Sequence, residues 1–156
     1  MPLGMQNGNI TDWQLSASSA ISHEYSPQNA RINSNKFWSP AIRNWDTEHY
    51  LQIDFGCLTR VVRLEYKSTR GQRRVTSYHL MYSQNGELWS AVNDVTSITF
   101  NGEDGESTIK NPVEARYYRF VIDEVDADKK SKNQYVAVRI ELFGCYVQDD
   151  VQNLSK

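Results

Sequence analysis

Three observations predict an all-β sandwich or barrel. Short segments of alternating apolar and polar residues fill most of the chain, pairs of Asn or Asp with Gly punctuate them, and aromatics make up 12% of the 156 residues. Alternation with a period of two marks a strand buried on one face. The nine Tyr and four Trp supply flat rings suited to the space between two sheets. No long amphipathic helix or internal repeat is visible, so one domain over 1–147 accounts for the pattern.

The elements follow in order. Asn29 to Asn33 could form a single helical turn. Leu51-Gln52-Ile53-Asp54-Phe55 alternates and breaks at Gly56, which reads as a half-buried strand and a turn. Val61 to Tyr66 and Ser77 to Ser83 are two further strands, enclosing the polar loop Lys67 to Arg74. Asn85-Gly86 is the strongest hairpin signal, with Trp89 packing back on the sheet beyond it. Asn101-Gly102 and Asp104-Gly105 mark another turn, and Tyr117 to Ile122 and Val136 to Phe143 alternate well enough to be strands. Between these last two, Asp123 to Lys132 carries four acids and then three lysines without an apolar period, and reads as a solvated loop.

A net charge of −2 provides no global positive field, which argues against nucleic acid as a partner. No apolar run approaches the roughly 18 residues of a membrane span. Met1-Pro2-Leu3-Gly4 has neither the basic nor the apolar region of a signal peptide, and the reading adopted is that one has been removed. Residues 148–156 read as a disordered tail or linker, and Asn9-Ile10-Thr11 and Asn153-Leu154-Ser155 fit the glycosylation pattern.

An ordered set of motifs resembles the discoidin, or coagulation factor V/VIII type C, domain family. Pro2-Leu3-Gly4-Met5, Asn7-Gly8 with Ile10, and Ala17-Ser18-Ser19 are similar to its lead-in and first strand. Tyr25-Ser26-Pro27, Ala30-Arg31-Ile32-Asn33 and Phe37-Trp38 resemble the segment around its first long loop. Leu51 to Gly56 is similar to its signature strand, and Tyr82-Ser83 with Gly86 and Trp89 to its central hairpin. Ala115 to Arg119 and Arg139 to Cys145 resemble its closing strands. The resemblance implies an eight-stranded antiparallel jelly-roll-like (galactose-binding-like) β-sandwich, with the termini at one pole and ligand-binding loops, or spikes, at the other. It also implies a non-catalytic module of a larger extracellular protein, secreted or on the cell surface. The cysteine that the family usually pairs with the one at Cys145 would precede Met1, and Cys57 is not a common family position. In the implied topology Cys57 and Cys145 share the terminal pole, so a disulfide between them is one reading and two free thiols the other.

Placed on that scaffold, the candidate ligand contacts fall on three loops. Lys67, Arg70, Arg73 and Arg74 are the densest positive charge in the chain, and guanidinium forks pair well with carboxylate, sulfate or phosphate. A solvated loop, or arginines paired with local acids, is the bland reading. His23, Glu24 and Tyr25 fall on the first spike, where Tyr25 is either a contact or a ring that packs the loop. Trp45, on the second, is expected to be partly exposed for stacking or to fold back as a lid. Trp38 and Trp89 are expected in the core, Trp13 on the surface, and Arg31 as a structural pin.

His23, His49 and His79 lack metal-ligand spacing, and no cofactor is expected. A structural calcium at Asp123, Glu124, Asp126 and Asp128 would lack the spacing of the calcium-loop motif. The reading is therefore an adhesion module that takes a cell-surface or matrix protein, peptide or acidic glycan through its spikes. The alternatives are a carbohydrate-binding lectin domain and a domain that docks on anionic phospholipid.

Overall fold

The structure, a computed structural model, describes residues 1–126 and 135–147. Among these, nine strands run β1 (Leu15–Ala17), β2 (Tyr50–Lys67), β3 (Val75–Ser83), β4 (Ser90–Ala91), β5 (Thr96–Ser97), β6 (Thr99–Asn101), β7 (Asp104–Thr108), β8 (Glu114–Val125) and β9 (Arg139–Tyr146). All strand pairings are antiparallel. Eight strands were expected; the additional one comes from the very short segments β4, β5 and β6, which alternation over a few residues does not resolve. Aspartate 128, Asn153 and the tail lie outside the described residues.

β2 organises the molecule. The two segments read from the sequence are one strand, whose pairing with β8 is interrupted between Asp54 and Thr59 where the chain bends at Gly56, with a φ of 77° that suits a residue without Cβ. Before the bend it pairs with β1 and β8, β8 follows it just past the bend at Thr59 and Arg60, and β8 passes on to β3. After the bend it pairs with β9 on one side and β7 on the other, and β7 passes on to β6. One strand is thus shared by two layers.

The alternation seen in the sequence puts Leu51, Ile53, Phe55, Leu64 and Tyr66 of β2 into one core with Tyr78, Leu80, Tyr118 and Phe120. Tyr78 stacks on Phe120 at 4.8 Å between centroids, and Phe55 meets Tyr118 edge-on at 5.6 Å. Burying such a ring stabilises the fold by about 2–3 kcal/mol each. Trp38 is fully buried and donates its indole N–H to the carbonyl of Ser19 at 2.9 Å. Trp89 departs from expectation: it is only half-buried, on the outer face of the first layer, where its ring takes the Arg119 guanidinium at 3.9 Å. Arg119 alternates with the core residues Tyr118 and Phe120 and so stands on the outer face, and Trp89 covers it there. Trp13 is exposed, and Arg31 is a pin, donating to the Met5 carbonyl and pairing with Asp12, each at 2.8 Å.

The N-terminal segment closes the second layer. Leu3 N–H donates to the Leu142 carbonyl, and Glu141, buried, accepts from the backbone N–H groups of Met5, Gln6 and Leu142 at 2.9–3.1 Å. Register places Lys67, Arg139, Val75 and Val125 at one pole. Met1, bonded to Gly144, and Val147, bonded to Leu58, lie at the other.

Candidate functional site

The loop pole is built on the ends of β2, β3, β8 and β9. The loop between β2 and β3 begins at Lys67, half-buried and opposite Arg139, and turns at Thr69–Gln72 with Gly71 at φ 86°. Arg139 braces it from below, donating to the Ser34 carbonyl at 2.8 Å and to Thr69 Oγ1 at 3.2 Å, and also to the Ser68 carbonyl. Beside it the Tyr66 hydroxyl donates to the Ala137 carbonyl and accepts from Val75 N–H. Burial pushes that phenol well above the ordinary tyrosine range.

The four cations of this loop divide. Arg73 donates its backbone N–H to the Tyr135 carbonyl at 2.8 Å and its Nε to the Asp126 carbonyl at 3.1 Å. Arg74 donates its backbone N–H to Asp126 Oδ1 at 2.9 Å and a guanidinium N–H to the Gly102 carbonyl at 3.2 Å, with the guanidinium 4.0 Å above the Phe100 ring. Both hold the base of the loop. Arg70 stands exposed at its tip, and neither it nor Lys67 has an ion pair among the described residues.

His23 and Glu24 are exposed in a 3-10 turn, His23–Tyr25, and Tyr25 is half-buried. Its ring packs between Phe37 at 5.1 Å and Tyr135 at 5.0 Å, so it orders the first loop. Tyr135 in turn donates its backbone N–H to Gln72 Oε1 at 2.7 Å. One residue therefore joins the first loop to the β2–β3 loop.

Trp45 is 50% exposed and meets His49 edge-on at 5.4 Å. His49 is buried, with Nε2 2.7 Å from the Asn44 carbonyl, so the loop is tied down beneath an open indole face. Glu48 reaches His79 Nε2 at 3.8 Å, and Asp123 binds His79 Nδ1 at 2.7 Å, which fastens the same loop to the first layer.

Cys57 and Cys145 are both free and exposed, at the terminal pole, so of the two readings the free thiols hold and the disulfide does not. Register sets Cys145 opposite Arg60, three residues from Cys57. At about 3.3 Å per strand residue that is roughly 10 Å, beyond the roughly 7 Å that a disulfide spans between Cα atoms.

Sequence reasoning missed Tyr135, Arg139 and Asp126 as builders of the pole. Arg139 had no signal beyond its place in an alternating strand, because its register opposite Lys67 and its acceptors Ser34, Ser68 and Thr69 are set by long-range pairing. Tyr135 had none, because its partners are distant in sequence.

A profile described as the F5/8 type C domain matches residues 14–142. Neuropilin-2 of Homo sapiens is 30% identical over 96% of this chain, which spans 16% of that protein's length. The venom prothrombin activator pseutarin-C non-catalytic subunit of Pseudonaja textilis is 32% identical over 94% of this chain, which spans 11% of its length. Among solved structures, discoidin II of Dictyostelium discoideum superposes with a TM-score of 0.67 at 19% identity, over 86% of this chain and 55% of that one. The module CpGH89CBM32-5 of Clostridium perfringens, solved with GalNAc-β-1,3-galactose, superposes with a TM-score of 0.66 at 15% identity, over 92% of this chain and all of its own.

Proposed function

This chain belongs to the F5/8 type C, or discoidin, domain family, and we propose on that premise that it is a non-catalytic extracellular adhesion module of a larger protein, gripping a cell-surface or matrix ligand with its loop pole. The observation that carries the reading is the contrast within one loop. Arg73, Arg74 and Arg139 hold its base, while Arg70 is presented at the tip without an ion pair among the described residues. A rigid base with an open guanidinium limits the entropy lost on binding and offers a planar fork to carboxylate or sulfate. Trp45 adds an open indole on a tied loop of the same pole. An acidic glycan or an acidic protein segment fits that pair.

Anionic phospholipid fits less well. Of the first loop's apolar side chains only Ile21 is exposed, beside exposed Glu24, while Tyr25 is packed between two rings. A purely neutral lectin site at this pole would leave Arg70 unused.

The test is binding of the intact chain to immobilised heparin, to matrix proteins and to phosphatidylserine vesicles, with Arg70→Ser and Trp45→Ala as variants. Binding to heparin or a matrix protein that weakens roughly tenfold in Arg70→Ser and falls with rising salt supports the reading. Unchanged binding in both variants, or binding to vesicles alone, overturns it.

A further inference from the structure

Three asparagines in the chain precede a glycine, at Asn7-Gly8, Asn85-Gly86 and Asn101-Gly102, and all three are exposed. Such a pair can react with itself. The glycine's backbone nitrogen attacks the carboxamide carbon Cγ, and without a Cβ nothing on that residue blocks the approach. Attack requires a carboxamide free to swing onto the nitrogen, and a nitrogen whose N–H is not already donated.

The three pairs differ on those two requirements. Asn85 Oδ1 accepts from Ser83 Oγ and from the backbone N–H groups of Glu87 and Leu88 at 2.9–3.1 Å, and Gly86 N–H donates to Ser83 Oγ at 2.9 Å. Both reacting groups are held. Asn7 Oδ1 accepts from Asn9 N–H at 2.9 Å, which fixes the carboxamide. The Asn101 carboxamide has no hydrogen bond among the described residues, and the Gly102 N–H has none either. Gly102, at φ 68°, opens the two-residue turn between β6 and β7, and nothing lies within 4 Å of the side where a Cβ would stand.

We propose that Asn101 is a site of spontaneous deamidation, and that its conversion loosens the base of the β2–β3 loop. Gly102 N gives up its proton to solvent base and bonds to Asn101 Cγ, Nδ2 departs as ammonia, and a succinimide ring results. Water then opens the ring. Opening at Cγ leaves an aspartate; opening at the main-chain carbonyl carbon leaves an isoaspartate, whose chain runs through Cβ and Cγ and is one methylene longer. One water is consumed and one ammonia released, with no oxidant or cofactor required.

The position of the turn gives the reaction its consequence. Asn101 stands opposite Asp104, and Asp104 opposite Lys67, at the loop pole. The carbonyl of Glu103 accepts from Ser68 N–H and that of Gly102 from an Arg74 guanidinium N–H, each at 3.2 Å, and the same guanidinium lies over Phe100. An added methylene in a two-residue turn displaces both carbonyls, and the new carboxylate adds negative charge to the pole that carries Lys67, Arg70 and Arg74. The reaction does not depend on which ligand the pole takes, so it stands apart from the function proposed above.

Ageing the intact chain at physiological temperature and mildly alkaline pH tests it. Peptide mass spectrometry that separates aspartate from isoaspartate maps the products, and amide exchange compares the fresh and aged chain. The expected result is conversion roughly tenfold faster at Asn101 than at Asn7 or Asn85, with both products found. Exchange at Ser68 should rise in the aged chain, and Asn101→Gln, whose longer side chain closes a ring far more slowly, should age without that rise. Conversion that begins at Asn7 or Asn85, an Asn101 that stays intact as the chain ages, or full conversion at Asn101 with unchanged exchange at Ser68 overturns the proposal.

Discussion

Tyr25 and Tyr135 pack ring against ring at 5.0 Å with planes 52° apart, and that one contact couples two loops that are far apart in the chain. Because Tyr135 also bonds Gln72 and accepts from Arg73 N–H, loosening it should reach both loops together. Tyr135→Ala is expected to cost about 1–2 kcal/mol of stability and to weaken ligand binding, while Tyr135→Phe, which keeps the ring, should do neither. Denaturant unfolding set beside a binding assay checks both parts; equal effects of Ala and Phe would contradict the ring contact as the cause.

Arg70→Ser and Arg74→Ser should separate. The first removes an exposed tip and is expected to change stability by less than about 0.5 kcal/mol. The second removes the contacts to Phe100 and Gly102 and weakens the hold on Asp126, and should cost about 1–2 kcal/mol. Urea midpoints of the two variants measure the difference.

Glu141→Ala should be the more damaging change, because three backbone N–H groups lose their acceptor in a buried site. A loss of about 3 kcal/mol is expected, and hydrogen exchange should rise at Met5 and Gln6 before it rises in β3. Uniform exchange across both layers would show that the N-terminal segment is not clamped by this side chain.

Asp54 supplies a pH signature. Its hydrogen bonds to Arg116, at 2.9 and 3.1 Å, hold the carboxyl below its ordinary value of 3.8. A depressed folded value means the contribution is complete above the unfolded value and is lost as pH falls through the folded one. Thermal midpoints recorded downward from pH 5 should therefore decline more steeply in the native chain than in Asp54→Asn.

At the alkaline end the phenols act. Burial pushes Tyr78 up to about 12 and Tyr66 and Tyr118 further. Raised folded values leave stability intact below the unfolded value near 10.0 and remove it as pH climbs toward the folded ones. Tyrosinate absorbance should show these three titrating only together with loss of the fold, and independent reversible titration would refute their burial.

The layered body was legible because the period-two pattern holds through 51–55 and, with a slip at 62/63 and doubled burial at Ser77–Tyr78 and Phe120–Ile122, still marks 61–66, 77–83 and 117–122 as parts of β2, β3 and β8. The bend that makes one strand serve two layers was not, since only Gly56 hints at it. At the loop pole the sequence showed which side chains are chemically capable but not which are already engaged. Arg70 and Arg74 are the same residue type four positions apart, and what separates them is Asp126, Phe100 and Gly102, brought there by long-range pairing.

Met1 is hydrogen-bonded to Gly144 and Val147 to Leu58, so the two ends of the described chain sit beside each other. Tension applied between residues 1 and 147 would run across the short seam where the N-terminal segment lies on β9, and would bypass the far pole. The seam around Glu141 would bear that load and give way first, and the loop pole proposed to take the ligand would carry none of it.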